Sequence, residues 1–126
     1  MSFVHDADVG ELRRALREAP DVRPAHIFAG MPYVFRPDRA GSLRATLLFD
    51  LHGEHGGAWT VRIADGTCDT AEGRPERYDV SIGCDAATFL DLVFQTVRPG
   101  EAIVEGRLRV GGDLALAMRF STLMGS

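Results

Sequence analysis

The sequence predicts an α+β domain, because the spacing of its apolar residues changes along the chain. Residues 43–84 alternate apolar and polar side chains as strands do, and they contain an Asp-Gly turn at 65–66. Before and after this region, apolar residues recur every three or four positions, as on one face of a helix. The 126 residues suit one domain, and we expect it to span 1–126, with 1–24 as an N-terminal helix and linker.

Charge and composition exclude several classes of function. The net charge is -4 and the arginines are dispersed, so we expect no nucleic-acid partner. All basic residues are arginine, which excludes a lysine Schiff base and a phosphate-loop lysine in this chain. With neither a signal peptide nor an apolar run of about 18 residues, we expect a cytoplasmic protein. The arginine bias indicates a bacterial source.

The two cysteines predict no metal or redox motif. Cys68 and Cys84 lie far apart and form no C-x-x-C pair. We therefore expect two buried free thiols.

Two helices are predicted at the N-terminus. Asp8 and Glu11 have the spacing of a capping box, and Pro20 ends the first helix. Pro24 begins a short second helix, which Pro32 limits. The apolar side of the first helix consists of Val9, Leu12, Leu16 and Ala19. Its arginine side, Arg13, Arg14 and Arg17, suits solvent or a transient contact with anionic lipid headgroups.

The central region predicts four strands in an antiparallel meander. The first strand covers Leu43–Leu51, with Leu48 as an apolar exception on its polar side. After a glycine-rich turn, Trp59–Ile63 forms the second strand, and the Asp-Gly turn leads to a third at Thr67–Ala71. A fourth strand follows at Tyr78–Cys84.

The C-terminal region predicts helices around a last strand. Asp85 caps a helix that runs to Val97, and Glu101–Val104 adds one further turn. Gly106–Gly111 forms the strand, and Asp113 caps the final helix. These helices are apolar on more than one side. The surplus apolar surface suits the N-terminal helices, a homodimer partner or an apolar ligand.

Short strings along the chain resemble the sterol carrier protein type 2 family of lipid-binding domains. The strings are Phe35-Arg36-Pro37, Phe49-Asp50-Leu51-x-Gly53, Gly56-Gly57-x-Trp59-Thr60-Val61, Asp65-Gly66, Asp79-Val80-Ser81-Ile82, Phe89-Leu90, Gly106-Arg107-Leu108-Arg109-Val110 and Gly112-Asp113-Leu114-Ala115-Leu116-Ala117. Their order and spacing carry the resemblance, which runs from about Ala25 to Met124.

The resemblance implies a five-stranded, mostly antiparallel sheet with helices covering one face and an apolar tunnel between them. It implies binding or transfer of fatty acyl, sterol or isoprenoid ligands by a stand-alone domain without a cofactor. The tunnel positions carried over are Phe49, Trp59, Phe89, Leu92, Val93, Ile103, Leu116, Phe120 and Met124. Two pairs depart from the family pattern, Phe94-Gln95 and Ile103-Val104. The bulk of Phe94 is expected to narrow or redirect the tunnel.

Catalytic interpretations have weaker support in the residues. Asp50, His52, Glu54 and His55 could suggest a metal cluster, but two of them lie in a glycine-rich turn, so we expect no metal site. No serine or cysteine stands in a nucleophile motif. The leading hypothesis is a non-catalytic carrier. The alternative is a biosynthetic enzyme or accessory subunit that uses the same tunnel for a hydrophobic substrate.

Overall fold

The structure is a computed structural model that describes residues 22–124. The first predicted helix, at 8–19, lies outside these residues. The elements in chain order are α1 Pro24–Val34, α2 Pro37–Ala40, β1 Ala45–His52, β2 Gly57–Ala64, β3 Thr67–Glu72, β4 Val80–Asp85, α3 Ala86–Val93, α4 Pro99–Val104, β5 Arg109–Gly112 and α5 Leu114–Leu123. The predicted α+β class and the five-stranded sheet are confirmed.

The strands lie in the order β3-β2-β1-β4-β5. Every neighbouring pair is antiparallel except β1 and β4, which run parallel, with Leu47 opposite Val80. The sheet is therefore mostly antiparallel, as expected. The predicted four-strand meander is wrong at its last step, because β4 pairs with β1 and not with β3.

Residues 73–79 carry the chain across the outer face of the sheet, the face away from the helices. The Thr60 hydroxyl donates to the carbonyl of Gly73 at 2.7 Å, which holds the start of this crossover on the sheet. At its end, the backbone N–H of Thr46 donates to the Asp79 carboxylate at 2.8 Å. The outer-facing side chain of Leu48 is only 1% exposed. The crossover thus accounts for the apolar residue on the otherwise polar side of β1.

The hydrophobic core lies between the helices and the inner face of the sheet. Leu47, Val61 and Val80 form neighbouring pairs across β2, β1 and β4, and all three are fully buried. Cys68 and Cys84 are also buried inner-face residues and carry free thiols. Burial raises the pKa of Cys68 to about 12 and that of Cys84 to about 11, so both thiols are protonated at neutral pH.

Helix α1 continues to Val34, so the prediction that Pro32 limits it is wrong. Proline has no N–H to donate to the carbonyl four residues earlier, which would leave the Phe28 carbonyl without its helical partner. The Thr70 hydroxyl of β3 donates to that carbonyl at 2.8 Å. A residue from the sheet therefore supplies the hydrogen bond that Pro32 cannot make.

The two predicted helix caps that lie within residues 22–124 are present, but one helix end differs. The Asp85 carboxylate accepts from the Thr88 N–H at 2.7 Å, and the Asp113 carboxylate accepts from the Leu116 N–H at 3.0 Å. Helix α3 ends at Val93 and not at Val97 as predicted. Within residues 22–124, no helix is both long enough and apolar enough to cross a membrane.

Candidate functional site

An apolar cavity of about 260 Å³ lies between the inner face of the sheet and the helices. Helices α1, α3, α4 and α5 supply most of its wall, and the sheet contributes Phe49, Ile82 and Val110. Small-molecule sites are typically apolar concavities of about 300–1,000 Å³. The volume of this cavity is only slightly below that range, and its lining is apolar. We therefore take it as the candidate ligand site.

The structure brings together seven of the nine predicted tunnel residues. These seven are Phe49, Phe89, Leu92, Val93, Ile103, Phe120 and Met124. Trp59 and Leu116 do not line the cavity. Whether the lining residues bind a ligand stays a prediction, but their convergence makes one continuous apolar wall.

Trp59 is separated from the cavity by an aromatic stack. The ring of Phe28 lies between Trp59 and Phe89, with ring centroids 4.8 Å and 5.1 Å away and nearly parallel planes. Phe49 meets both Phe28 and Phe89 edge-on, at 5.3 Å and 5.8 Å. Fully buried Phe28 therefore occupies the space into which the Trp59 indole would otherwise face.

Helix α5 divides its apolar side chains between the core and the cavity. Leu116 and Leu123 are buried without lining the cavity. Leu114, Ala117 and Met118, which lie on the neighbouring stripe of the helix, line it instead. The apolar side chains of α5 are thus divided between the core, the cavity wall and the border of the cavity.

Helix α1 forms a cavity wall that the sequence-based site left out. Its lining residues are His26, Ile27, Gly30, Met31 and Val34. Their spacing of three and four positions is the signal that could have identified them, because it places them on one helical face. The segment after α1, Phe35 to Ala40, packs as part of the core at Phe35 and Ala40.

Three polar side chains interrupt the apolar lining, those of His26, Gln95 and Ser121. The His26 Nδ1 atom accepts the backbone N–H of Arg23 at 3.0 Å, which leaves the Nε2 atom to carry the proton of the neutral ring. The Ser121 hydroxyl donates to the Met118 carbonyl at 3.4 Å. Among residues 22–124, the Gln95 carboxamide makes no hydrogen bond, so it can serve a ligand.

Gln95 also has an unusual backbone conformation for its residue type. Its φ of 62° lies in the left-handed region, which favours glycine. The Gln95 N–H donates to the Leu92 carbonyl, and the Thr96 N–H donates to the Asp91 carbonyl at 2.9 Å. This pair of bonds is the Schellman arrangement, which ends α3 before the predicted boundary. The turn places Gln95 and Phe94 in the cavity wall.

The cavity is bordered by exposed apolar residues of α4 and α5. Leu114 is 55% exposed and Met118 is 63% exposed, although both line the cavity. Ile103 and Val104 of α4 form one of the two pairs that depart from the family pattern. Ile103 lines the cavity and is 41% exposed, whereas Val104 is 88% exposed and lies outside the cavity. These residues define an opening through which a ligand could reach the interior.

Groups that suggested catalysis lie away from this cavity. Asp50 and His52 lie on the outer face, while Glu54 and His55, in the turn after β1, pair with each other at 3.6 Å. Within residues 22–124, no three His, Cys, Asp or Glu side chains converge as a metal site would require. In the same part of the chain, His26 is the one titratable side chain that lines the cavity.

The sequence profile of the SCP-2 sterol transfer family matches residues 35–125. A curated relative, hydroxysteroid dehydrogenase-like protein 2 of Danio rerio, is 25% identical over 92 residues. Those residues are 72% of this chain and 22% of the relative, so the chain spans about a fifth of the curated relatives that it matches.

Solved structures share the fold at lower identity. The inverting sec-alkylsulfatase of Pseudomonas sp. has a TM-score of 0.75 at 18% identity, over 83% of this chain and 17% of the enzyme. A palmitated sterol carrier protein 2-like 2 of Aedes aegypti has a TM-score of 0.63 at 17% identity, over 81% of this chain and 90% of the other. The family profile covers most of the chain, and the fold agrees with it. The chain therefore belongs to the SCP-2 sterol transfer family.

Proposed function

We propose that this chain binds and carries a hydrophobic ligand with one polar end, such as a fatty acyl chain, in the cavity between its sheet and helices. The observation that carries the proposal is the lining of that cavity, which is apolar apart from three side chains. Family membership supports lipid binding or transfer. The palmitated mosquito protein offers a precedent for an acyl ligand on this fold.

The size of the cavity favours a single chain. Its 260 Å³ corresponds to about nine liquid-water volumes of roughly 30 Å³ each. A methylene group is close to a water molecule in size, so about nine methylenes fit before the chain reaches the opening. Each buried methylene contributes about 0.8 kcal/mol, or about a fourfold gain in affinity.

The polar end of the ligand is proposed to lie near Gln95 and His26. The Gln95 carboxamide offers both a donor and an acceptor, and the protonated Nε2 atom of neutral His26 offers a donor. A carboxylate, ester or amide could accept from either group. Such contacts orient the ligand, whereas apolar burial supplies most of its affinity.

The exposed apolar border of the cavity suits loading from a lipid surface. Met118 and Leu114 stand beside the opening and are more than half exposed. We propose that this region makes a transient contact with membranes. The alternative is that the same exposed residues form a homodimer interface. A cytoplasmic location also stays a prediction.

The proposed role is non-catalytic. Acid–base chemistry on a bound ligand would need titratable groups at the cavity, and there His26 has no titratable partner among the described lining residues. The enzyme alternative predicts chemical change of a bound ligand. Mass spectrometry of an added acyl ligand after incubation would show it, and an unchanged mass supports the carrier.

Filling the cavity tests the proposal directly. Ala117 lines the cavity, whereas Ala115 on the same helix is exposed and does not. In a displacement assay with a fluorescent acyl probe, we expect Ala117→Phe to weaken binding by at least tenfold and Ala115→Phe to leave it unchanged. Circular dichroism checks that both variants are folded. Equal affinity of the two variants would place the ligand elsewhere.

A series of saturated fatty acids gives a second readout. Affinity should rise about fourfold per added methylene and then level off once the cavity is filled. Native mass spectrometry of the freshly purified chain should show a bound lipid in the wild type and much less in Ala117→Phe. A flat series, together with only ligand-free protein, would exclude the proposed carrier.

A further inference from the structure

A second hollow, of about 280 Å³, lies on the outer face of the sheet. Outer-facing residues of β1, β4 and β5 form its floor, and Arg74 and Tyr78 of the crossover form its side. The sheet separates this hollow from the apolar cavity, and Val110 of the edge strand β5 is the one described residue that lines both. It is therefore a distinct concavity, and its inference is independent of the proposed carrier function.

The charges in the hollow are predominantly positive. Arg74 lies 3.3 Å from the Asp50 carboxylate and is compensated by it. Arg109 faces the imidazole of His52, with Nη2 and Nε2 3.3 Å apart. Since a guanidinium only donates, this contact places the acceptor nitrogen of a neutral imidazole toward Arg109. Among residues 22–124, Arg109 forms no ion pair, so the hollow retains one uncompensated positive charge on a chain of net charge -4.

Two glycines keep the floor of the hollow accessible. A Cβ atom at Gly111 would come within 2.8 Å of the Ser81 Oγ atom, which is closer than packing allows. A Cβ atom at Gly83 would contact the Arg109 guanidinium at 3.9 Å. Because Gly83 and Gly111 have no side chains, the Ser81 hydroxyl and the Arg109 guanidinium remain accessible from the hollow. Both groups are hydrogen-bond donors.

We propose that this outer-face hollow binds an oxyanion, a phosphate or carboxylate group. Arg109 provides the charge and a forked set of donors, Ser81 provides a neutral donor, and Arg74 adds a second charge that Asp50 moderates. The oxyanion comes from a small free anion or from a lipid headgroup. Positive charge, donors and open floor are the features that such groups require.

Two substitutions with opposite expected effects test the charge of the ligand. Inorganic phosphate is titrated at low ionic strength while the amide NMR signals of Ser81 and Gly83 are followed. We expect Arg109→Gln to weaken phosphate binding about tenfold, since it removes the uncompensated donor group. Asp50→Asn should strengthen binding about threefold, because it removes the carboxylate that neutralises Arg74 and repels the anion.

Arg44→Gln is the matched control. Arg44 is an exposed arginine paired with Asp65 at 2.9 Å, and it does not line the hollow. It changes the net charge as Arg109→Gln does, so a non-specific field effect would weaken both variants equally. All three substitutions lie in exposed or half-exposed side chains, and far-UV circular dichroism checks their folding.

Vesicles distinguish the two sources of the oxyanion. Binding is compared on phosphatidylcholine vesicles with and without phosphatidic acid. Loss of phosphatidic acid-dependent binding in Arg109→Gln, but not in Arg44→Gln, supports a headgroup, and the same pattern with free phosphate alone supports a small anion. The proposal is overturned if Arg109→Gln matches Arg44→Gln with both ligands, or if Asp50→Asn weakens both.

Discussion

The inner and outer faces of the sheet are built from alternating residues of the same strands, yet they enclose opposite chemistry. On β1, Phe49 faces the apolar cavity, while Asp50 faces the charged outer hollow. Among the described residues, helices α1, α3, α4 and α5 cover the inner face, whereas the seven residues 73–79 partly cover the outer one. One sheet therefore supports two concavities of similar volume that differ in lining and in cover.

This difference predicts how ligands at the two faces respond to salt. Binding in the inner cavity depends on apolar burial, which moderate salt hardly changes. Binding in the outer hollow depends on Arg109 and Arg74, whose fields are screened over about 10 Å at 0.1 M ionic strength. The two faces can therefore be studied separately in one sample by changing only the salt concentration.

The largest expected effect is the loss of the aromatic stack on the inner face. Phe28 is fully buried between Trp59 and Phe89, so Phe28→Ala should lower the free energy of unfolding by about 3–5 kcal/mol. Urea denaturation followed by Trp59 fluorescence measures it. The control is Tyr33→Ala on the same helix, where the side chain is 70% exposed and a change within about 0.5 kcal/mol is expected. Similar losses in the two variants would contradict the stacked packing.

The outer face gives the next largest effect. Leu48 is buried beneath the crossover although it faces away from the helices, so Leu48→Ala should cost about 2–3 kcal/mol in the same assay. Leu114→Ala, at a position 55% exposed, is the matched leucine control and should cost less than about 1 kcal/mol. A negligible cost at Leu48 would mean that the crossover does not cover this face.

Local sequence patterns were sufficient for the elements but not for their connections. Alternation identified the strands, and Asp85 and Asp113 marked two helix starts, because these signals act within a few residues. The return of β4 to β1 depends on a crossover that local spacing does not encode. Its trace in the sequence was Leu48, an apolar residue on a polar face. The prediction that Pro32 limits α1 was wrong for a similar reason. The hydrogen bond that replaces the missing proline N–H comes from Thr70, which lies on a strand distant in sequence.

The candidate site shows the same division between local and distant information. The family resemblance selected Trp59 and Leu116 together with seven residues that do line the cavity. Trp59 is excluded because Phe28, from a helix earlier in the chain, occupies the intervening space. Leu116 is excluded by the rotation of α5 about its axis. Neither exclusion follows from periodicity, because both depend on how separate elements dock.

The smallest expected effect concerns the cavity wall residue with a left-handed backbone. Gln95→Gly should relieve the cost of φ 62° and raise the free energy of unfolding by about 0.5–1 kcal/mol. Gln95→Ala removes the carboxamide but keeps the unfavourable φ, so it should give no such gain. If the carboxamide contacts the polar end of an acyl ligand, both variants should bind the fluorescent acyl probe more weakly. Equal unfolding free energies for the glycine and alanine variants would show that the backbone of Gln95 is not strained, and wild-type affinity in both would move the polar end toward His26.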